Sequence, residues 1–357
     1  MTRRKRIVFA AISVLVAIAA PVGALLALDV YMHHRVERYA GVNVWGYRGL
    51  RVPRKARGEH RLVMIGGSTT FGYGVNWDES IADHLERRLR PLSKEGAPVR
   101  VVNLGFNTQG AYAFRFAEED FLALDYDTAI LYEGYNDLGD EPNQFVGRRD
   151  SPIFRLFGYY PILQMALKEK AMALRSGGDL NAAYGGKTVF RPNVVSRASA
   201  STLEAVEQIS RSLDRQVGRF SKVPPVAQTY SQAHVDDLGC PSPWPFYCAA
   251  VRDGIRFALD HQKKVLVVTQ PYLNDRHREQ QAALRSMLAA HFGGNSRVGY
   301  TNAGDAIDLL HSRLAADTMH LTSDGNDFVA ALLVPAVVAL MPDAFSPPAD
   351  TASRSAR

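Results

Sequence analysis

Short apolar runs at 62–65, 101–104, 128–132 and 265–269 place the tightest limit on the fold. Each is too short for a core helix and too continuously apolar for a sheet face in water. That is the pattern of strands covered on both faces of a parallel sheet. Between them stand helical patterns. Ile81, Leu85 and Leu89 share one side of residues 78–90, and Val251, Ile255 and Leu259 do the same ahead of the last run. A weaker strand is read at 297–301, and the first strand is read as 61–66. Strands alternating with helices imply an α/β layered fold, whose ligands bind at the carboxyl ends of the strands.

The residues at those ends carry chemistry. Gly66-Gly67-Ser68-Thr69-Thr70 follows the first strand, Gly134-Tyr135-Asn136-Asp137 follows the third, and Asp317-Thr318-Met319-His320 lies far down the chain. A serine hydroxyl needs an adjacent base, and that base must be held in one tautomer. Ser68 is read as the nucleophile, His320 as the base and Asp317 as its orienting carboxylate. Asn136 can aim its amide at a developing oxyanion, with the backbone N–H of Ser68 as a second donor. Each block has a plainer reading alone: a glycine turn, a helix-capping Asp, a turn-forming Asn-Asp. A phosphate loop is excluded because no Gly-Lys-Ser/Thr ending follows the glycines.

In order and spacing these blocks resemble the SGNH (GDSL-type) esterase and lipase family, across 61–140 and 300–325, with Gln270-Pro271 adding to the likeness. The first block departs from Gly-Asp-Ser-Leu, and Gly46-Tyr47-Arg48-Gly49 upstream resembles a bacterial membrane-anchored branch. The resemblance implies a three-layer α/β/α sandwich around a central, mostly five-stranded parallel sheet. It also implies cleavage or transfer of acyl esters on sugars, lipids or other alcohols, without a cofactor or metal. The family's second-block glycine should lie five residues after Asn103, where Thr108 stands. A loop longer by two residues makes Gly110 the further oxyanion donor, with the Thr108 N–H as the alternative.

The +6 net charge is no nucleic-acid footprint. Residues 1–31 hold Arg3, Arg4, Lys5 and Arg6 against Asp29, and the rest of the excess is diluted over the remaining chain. Residues 7–28 carry no charge and, at about 1.5 Å per residue, span roughly 30 Å of hydrocarbon. The basic tip before them keeps the N-terminus cytoplasmic and the remainder outside the cytoplasmic membrane, in the periplasm of a bacterium. A cleaved signal followed by secretion is the alternative, although its apolar region would ordinarily be only about 7–15 residues.

Residues 1–31 are thus read as basic tip and anchor, 32–60 as a connector and 61–341 as the catalytic domain, with an insertion around 140–250. Residues 342–357 are read as a frayed tail. Cys240 and Cys248 frame a proline-rich loop, read as a disulfide in an exported domain, with two separate thiols as the alternative. The uncharged stretch 328–341 contains Pro335 and is read as a core helix rather than a second span. The expected activity is a serine esterase acting on acyl esters, O-acetyl among them, of an envelope or exported glycan or a lipid. An acyltransferase using the same triad and a silent glycan-binding scaffold are its rivals.

Overall fold

The computed structural model describes residues 2–39, 41–178, 192–221 and 239–347. The apolar runs become five strands: β1 His60–Gly66, β2 Val99–Asn103, β3 Thr128–Tyr132, β4 Lys264–Thr269 and β5 Val298–Asn302. All neighbours are parallel, in the order β2-β1-β3-β4-β5. β5 is an edge strand only half covered on its faces, and its sequence signal is correspondingly the weakest.

The helices are α1 Arg3–Val36, α2 Ser68–Phe71, α3 Ile81–Leu89, α4 Phe114–Asp120, α5 Pro152–Phe157, α6 Leu163–Ser176, α7 Val194–Ser221, α8 Pro245–Asp260, α9 Asp275–Phe292 and α10 Ser323–Leu340. The helix expected at 78–90 is divided. A 3-10 turn covers Trp77–Glu79, and Ser80 then caps α3 by accepting from the Asp83 N–H.

Alternation along the strands builds the layers. Leu62 and Met64 of β1, Ile130 and Tyr132 of β3 and Leu266 and Val268 of β4 join one core with α3 and α10. Full burial of each such side chain contributes about 1.5–3 kcal/mol. The opposite face is covered by α4 and α8. Gly254 of α8 comes so near that a Cβ there would stand 3.0 Å from Phe114 Cβ and 3.6 Å from Leu131 Cδ1. The result is a three-layer α/β/α sandwich around a five-stranded parallel sheet. Val329, Ala330, Leu333 and Val337 of α10 are wholly buried, so residues 328–341 do form a core helix.

The chain divides into two compact units. The larger holds the sheet. The smaller gathers α1 with residues 44–46 and α5, α6 and α7. α1 continues past residue 31 to Val36, and its later turns pack inside the smaller unit. Asp29 accepts from the N–H groups of Ile162 (2.9 Å) and Leu163 (2.6 Å) and from the Tyr159 hydroxyl. His33 meets the Tyr160 carbonyl at 2.9 Å.

Three boundaries therefore differ from the sequence reading. The insertion is confined to the helices after Ser151, and residues from 239 onward return to the larger unit. The connector is not a loose link, because Tyr47 and Arg48 are buried and Arg48 pairs antiparallel with Asn103 at the sheet edge. The tail is packed as far as Phe345, which is 1% exposed and bridges to Ser93; residues 348–357 lie outside the described residues. Cys240 and Cys248 are disulfide-bonded, with Cα atoms 6.5 Å apart.

Candidate active site

In this strand order the connections leave β1 and β3 toward opposite sides, which opens a crevice at their carboxyl ends. Ser68 and Asn136 follow those two strands. Gly66 pairs with Tyr132, so the two turns start side by side. Gly67 is required there: a Cβ would fall 2.3 Å from both Asn136 Nδ2 and Glu133 Oε2. The chain then turns into α2 with Ser68 as its first residue.

Side chains from neighbouring strands tie α2 in place. Asn103 at the end of β2 donates its amide to the Thr70 carbonyl (2.9 Å) and accepts from the Gly105 N–H (2.9 Å). Gln270 after β4 donates to Thr69 Oγ1 (2.5 Å) and accepts from the Tyr135 N–H (2.9 Å). Behind the helix, the Arg48 guanidinium lies 4.2 Å from the Phe71 ring centroid and donates to the Val75 carbonyl at 2.5 Å.

Asp317 to His320 form a tight turn closed by an antiparallel bridge between Ala315 and Leu321. The Ala316 N–H donates to the His320 carbonyl at 2.8 Å. Inside the turn Asp317 Oδ1 accepts from the His320 N–H (2.7 Å), and Oδ2 lies 2.8 Å from the ring Nδ1. His320 Nε2 is 2.8 Å from Ser68 Oγ. A carboxylate beside Nδ1 requires the proton there, which leaves the Nε2 lone pair for the serine. Burial alone would raise the Asp317 carboxyl, but the N–H and ring of His320 outweigh it and hold it below the usual range. Tyr73, half exposed, sets its ring 4.8 Å from the imidazole.

The structure thus brings Ser68, Asp317 and His320 into one chain of contacts. Asn136 stands beside Gly67, gives an amide hydrogen to the Gln109 carbonyl (3.1 Å), and its side chain also hydrogen-bonds the Glu133 carboxylate. In a trans peptide the Gly110 N–H points opposite to the Gln109 carbonyl. Thr108 has a left-handed backbone (φ 63°), and its carbonyl accepts from Asn143. Gly110 presses so closely on Asp137 that a Cβ would lie 2.4 Å from Oδ1.

Two buried acids beneath the site escaped the sequence reading. Glu133 accepts from the N–H groups of Gly67 (2.5 Å), Gly134 (3.0 Å) and Asn136 (3.0 Å), and burial raises its carboxyl to about 7. Asp137 accepts from the Ala111 N–H at 2.8 Å; burial, then the neighbouring charge of Glu133, push it well above the usual range. A signal was present, since an acid directly after a fully apolar strand must find donors inside the protein. Arg148, also buried, donates to the carbonyls of Leu104 (2.9 Å) and Gly105 (3.1 Å) and steadies the second-block loop. Among the described residues no group of three or more His, Cys, Asp or Glu side chains is placed to hold a metal ion.

No protein-family model and no curated protein matches the chain. Solved structures do, at low identity. A putative lipolytic protein of the G-D-S-L family from Desulfitobacterium hafniense is 12% identical with a TM-score of 0.39, covering 76% of this chain and 99% of its own. An acetylxylan esterase from Geobacillus stearothermophilus, solved as a catalytic mutant, is 13% identical with a TM-score of 0.39 (80% and 95% covered). A family 3 carbohydrate esterase from Clostridium thermocellum is 11% identical with a TM-score of 0.41 (80% and 98%). Likeness this distant does not reach substrate.

Proposed function

We propose that the protein is a serine ester hydrolase of the SGNH type that works through an acyl-enzyme. The observation carrying this reading is the continuous line Asp317 Oδ2, His320 Nδ1, His320 Nε2, Ser68 Oγ, closed at 2.8 Å at both ends. His320 takes the hydroxyl proton as Ser68 Oγ bonds to the ester carbonyl carbon. The Ser68 N–H and the Asn136 amide receive the oxyanion. The tetrahedral intermediate then collapses, and His320 returns its proton to the leaving alkoxide. Water, activated by the same imidazole, releases the acid and restores Ser68.

The substrate class that fits this reading is an acyl ester, O-acetyl among them, on an envelope glycan or lipid. α1 anchors the chain in the cytoplasmic membrane with the rest on the outer side. It is long and apolar enough to cross a bilayer, although a signal sequence passes the same test. A sugar hydroxyl that intercepts the acyl-enzyme instead of water would make the protein an acyltransferase, and product analysis with an added glycan separates the two.

The test is fluorophosphonate labelling of the full-length chain in detergent, read by peptide mass. The full chain is used because Asp29 and His33 pack within the smaller unit. Labelling at Ser68 that vanishes in His320→Ala is expected, and Ser68→Ala should lower ester turnover by about 10⁴–10⁶-fold. A folded wild-type chain that takes no label overturns the assignment.

A further inference from the structure

The smaller unit shows apolar side chains to solvent at one particular level. In α5 and α6, Leu156 is 40% exposed, Phe157 69% and Met165 47%. Solitary exposed apolar residues are ordinary. These three flank the loop that grips Asp29, and Asp29 is the first charged residue after the uncharged run of α1. The grip is direct: two backbone N–H groups at the start of α6 and the Tyr159 hydroxyl all bond to its carboxylate. Whatever depth Asp29 occupies, the start of α6 occupies it too.

With residues 7–28 filling the hydrocarbon, Asp29 sits at its outer edge. The headgroup layer beyond that edge is roughly 5–8 Å deep on each side. Met165 follows Leu163 by two helical residues, about 3 Å of rise. Phe157 precedes Tyr159 by two residues, at most about 7 Å of chain. The exposed apolar side chains therefore fall within the headgroup layer or at its border. Tyr31, 56% exposed, lies two residues after Asp29 on α1 and adds an aromatic of the kind enriched at that depth. Arg35 on α1 and Lys168 and Lys170 on α6, with the partly buried Glu169 between the two lysines, add exposed cations of the kind that meet anionic lipid phosphates.

We propose that the corner between α5 and α6 is a second membrane contact, which lays Leu156, Phe157 and Met165 into the outer-leaflet interface beside the anchor. It rests on the reading of α1 as a membrane span and extends it. A lone helix would leave the smaller unit free to pivot on its tether. An interfacial apolar corner fixes that unit's tilt against the bilayer, as amphipathic helices do when they lie in the interface plane.

Single-cysteine labelling tests this in the full chain, because Cys240 and Cys248 are bonded to each other and an introduced thiol alone takes the reagent. Phe157→Cys, Met165→Cys and Val14→Cys are each labelled with the polarity-sensitive NBD fluorophore. They are reconstituted in vesicles of phosphatidylcholine and phosphatidylglycerol, with and without shallow-brominated acyl chains. Emission at 157 and 165 should fall by about half or more with bromine, alongside that at 14. Quenching at 14 with none at 157 and 165 overturns the proposal while the anchor stands. A blue-shifted but unquenched label at 157 overturns it in favour of a protein cover. No quenching at 14 removes the anchor itself and the proposal with it.

Discussion

Glu133 shows how a single residue organises the candidate site. Its carboxylate accepts N–H groups from the Ser68 turn and from the Asn136 turn, so these two turns of the candidate site are held through one side chain. Burial lifts its pKa from 4.5 to about 7, so the folded state binds the proton more tightly than the unfolded chain. The stabilisation from this group is full below about pH 4.5 and is lost as the pH rises through about 7, on the order of 3 kcal/mol. Glu133→Gln should therefore flatten the fall in melting temperature between pH 5 and 8. Asp83, raised by burial to about 7 as well, keeps part of the slope in the variant. The same substitution should slow ester turnover by roughly 10–100-fold, since an amide NH₂ cannot accept from the N–H groups that the carboxylate now serves. Thermal melts at the two pH values check the first expectation, and an unchanged slope would remove Glu133 as its source. Ser68, Asp317, His320 and Asn136 were legible as residue types at telling spacings. Glu133 and Arg148 were not, because their work is to satisfy backbone groups that only meet in three dimensions.

At the scale of elements, the 317–320 turn depends on a backbone state that residue types do not announce. Thr318 adopts φ of 53°, a left-handed conformation uncommon for a β-branched side chain. That state lets the Asp317 carboxylate reach both the N–H and the ring of His320. Proline cannot take a positive φ. Thr318→Pro should lower turnover more than about 100-fold through misplaced reacting groups while far-UV circular dichroism stays unchanged. Turnover within a few-fold of wild type would show that the turn tolerates other geometries. β1 to β4 were readable because both faces are buried and their apolar runs are continuous, and the half-covered edge strand β5 was correspondingly fainter. The split between the Trp77–Glu79 turn and α3 was less so, since a 3-10 turn and an α-helix share a similar local pattern. The role of residues 47–49 was also hidden. Arg48 braces α2 across a sheet edge, and no periodicity in the connector encodes a partner that far along the chain.

For the whole molecule, α1 belongs to two environments. Past its basic first turn, residues 7–17 are uncharged and exposed, while Asp29 and His33 are buried in the smaller unit. The full chain is expected to stay in the membrane pellet after alkaline carbonate extraction. Release to the supernatant would mean that α1 does not span or has been removed. The sequence alone marked the five strands and several of the helices, and pointed to an anchor and to candidate reacting groups, because these follow from local periodicity, hydrophobic length and residue chemistry. The tertiary structure alone decided that α1 packs with the inserted helices, that the tail is held as far as Phe345, and that buried Glu133 joins the Ser68 and Asn136 turns. Each of those depends on contacts between residues remote in the chain, where burial and hydrogen-bond satisfaction are set by folding rather than by neighbouring sequence.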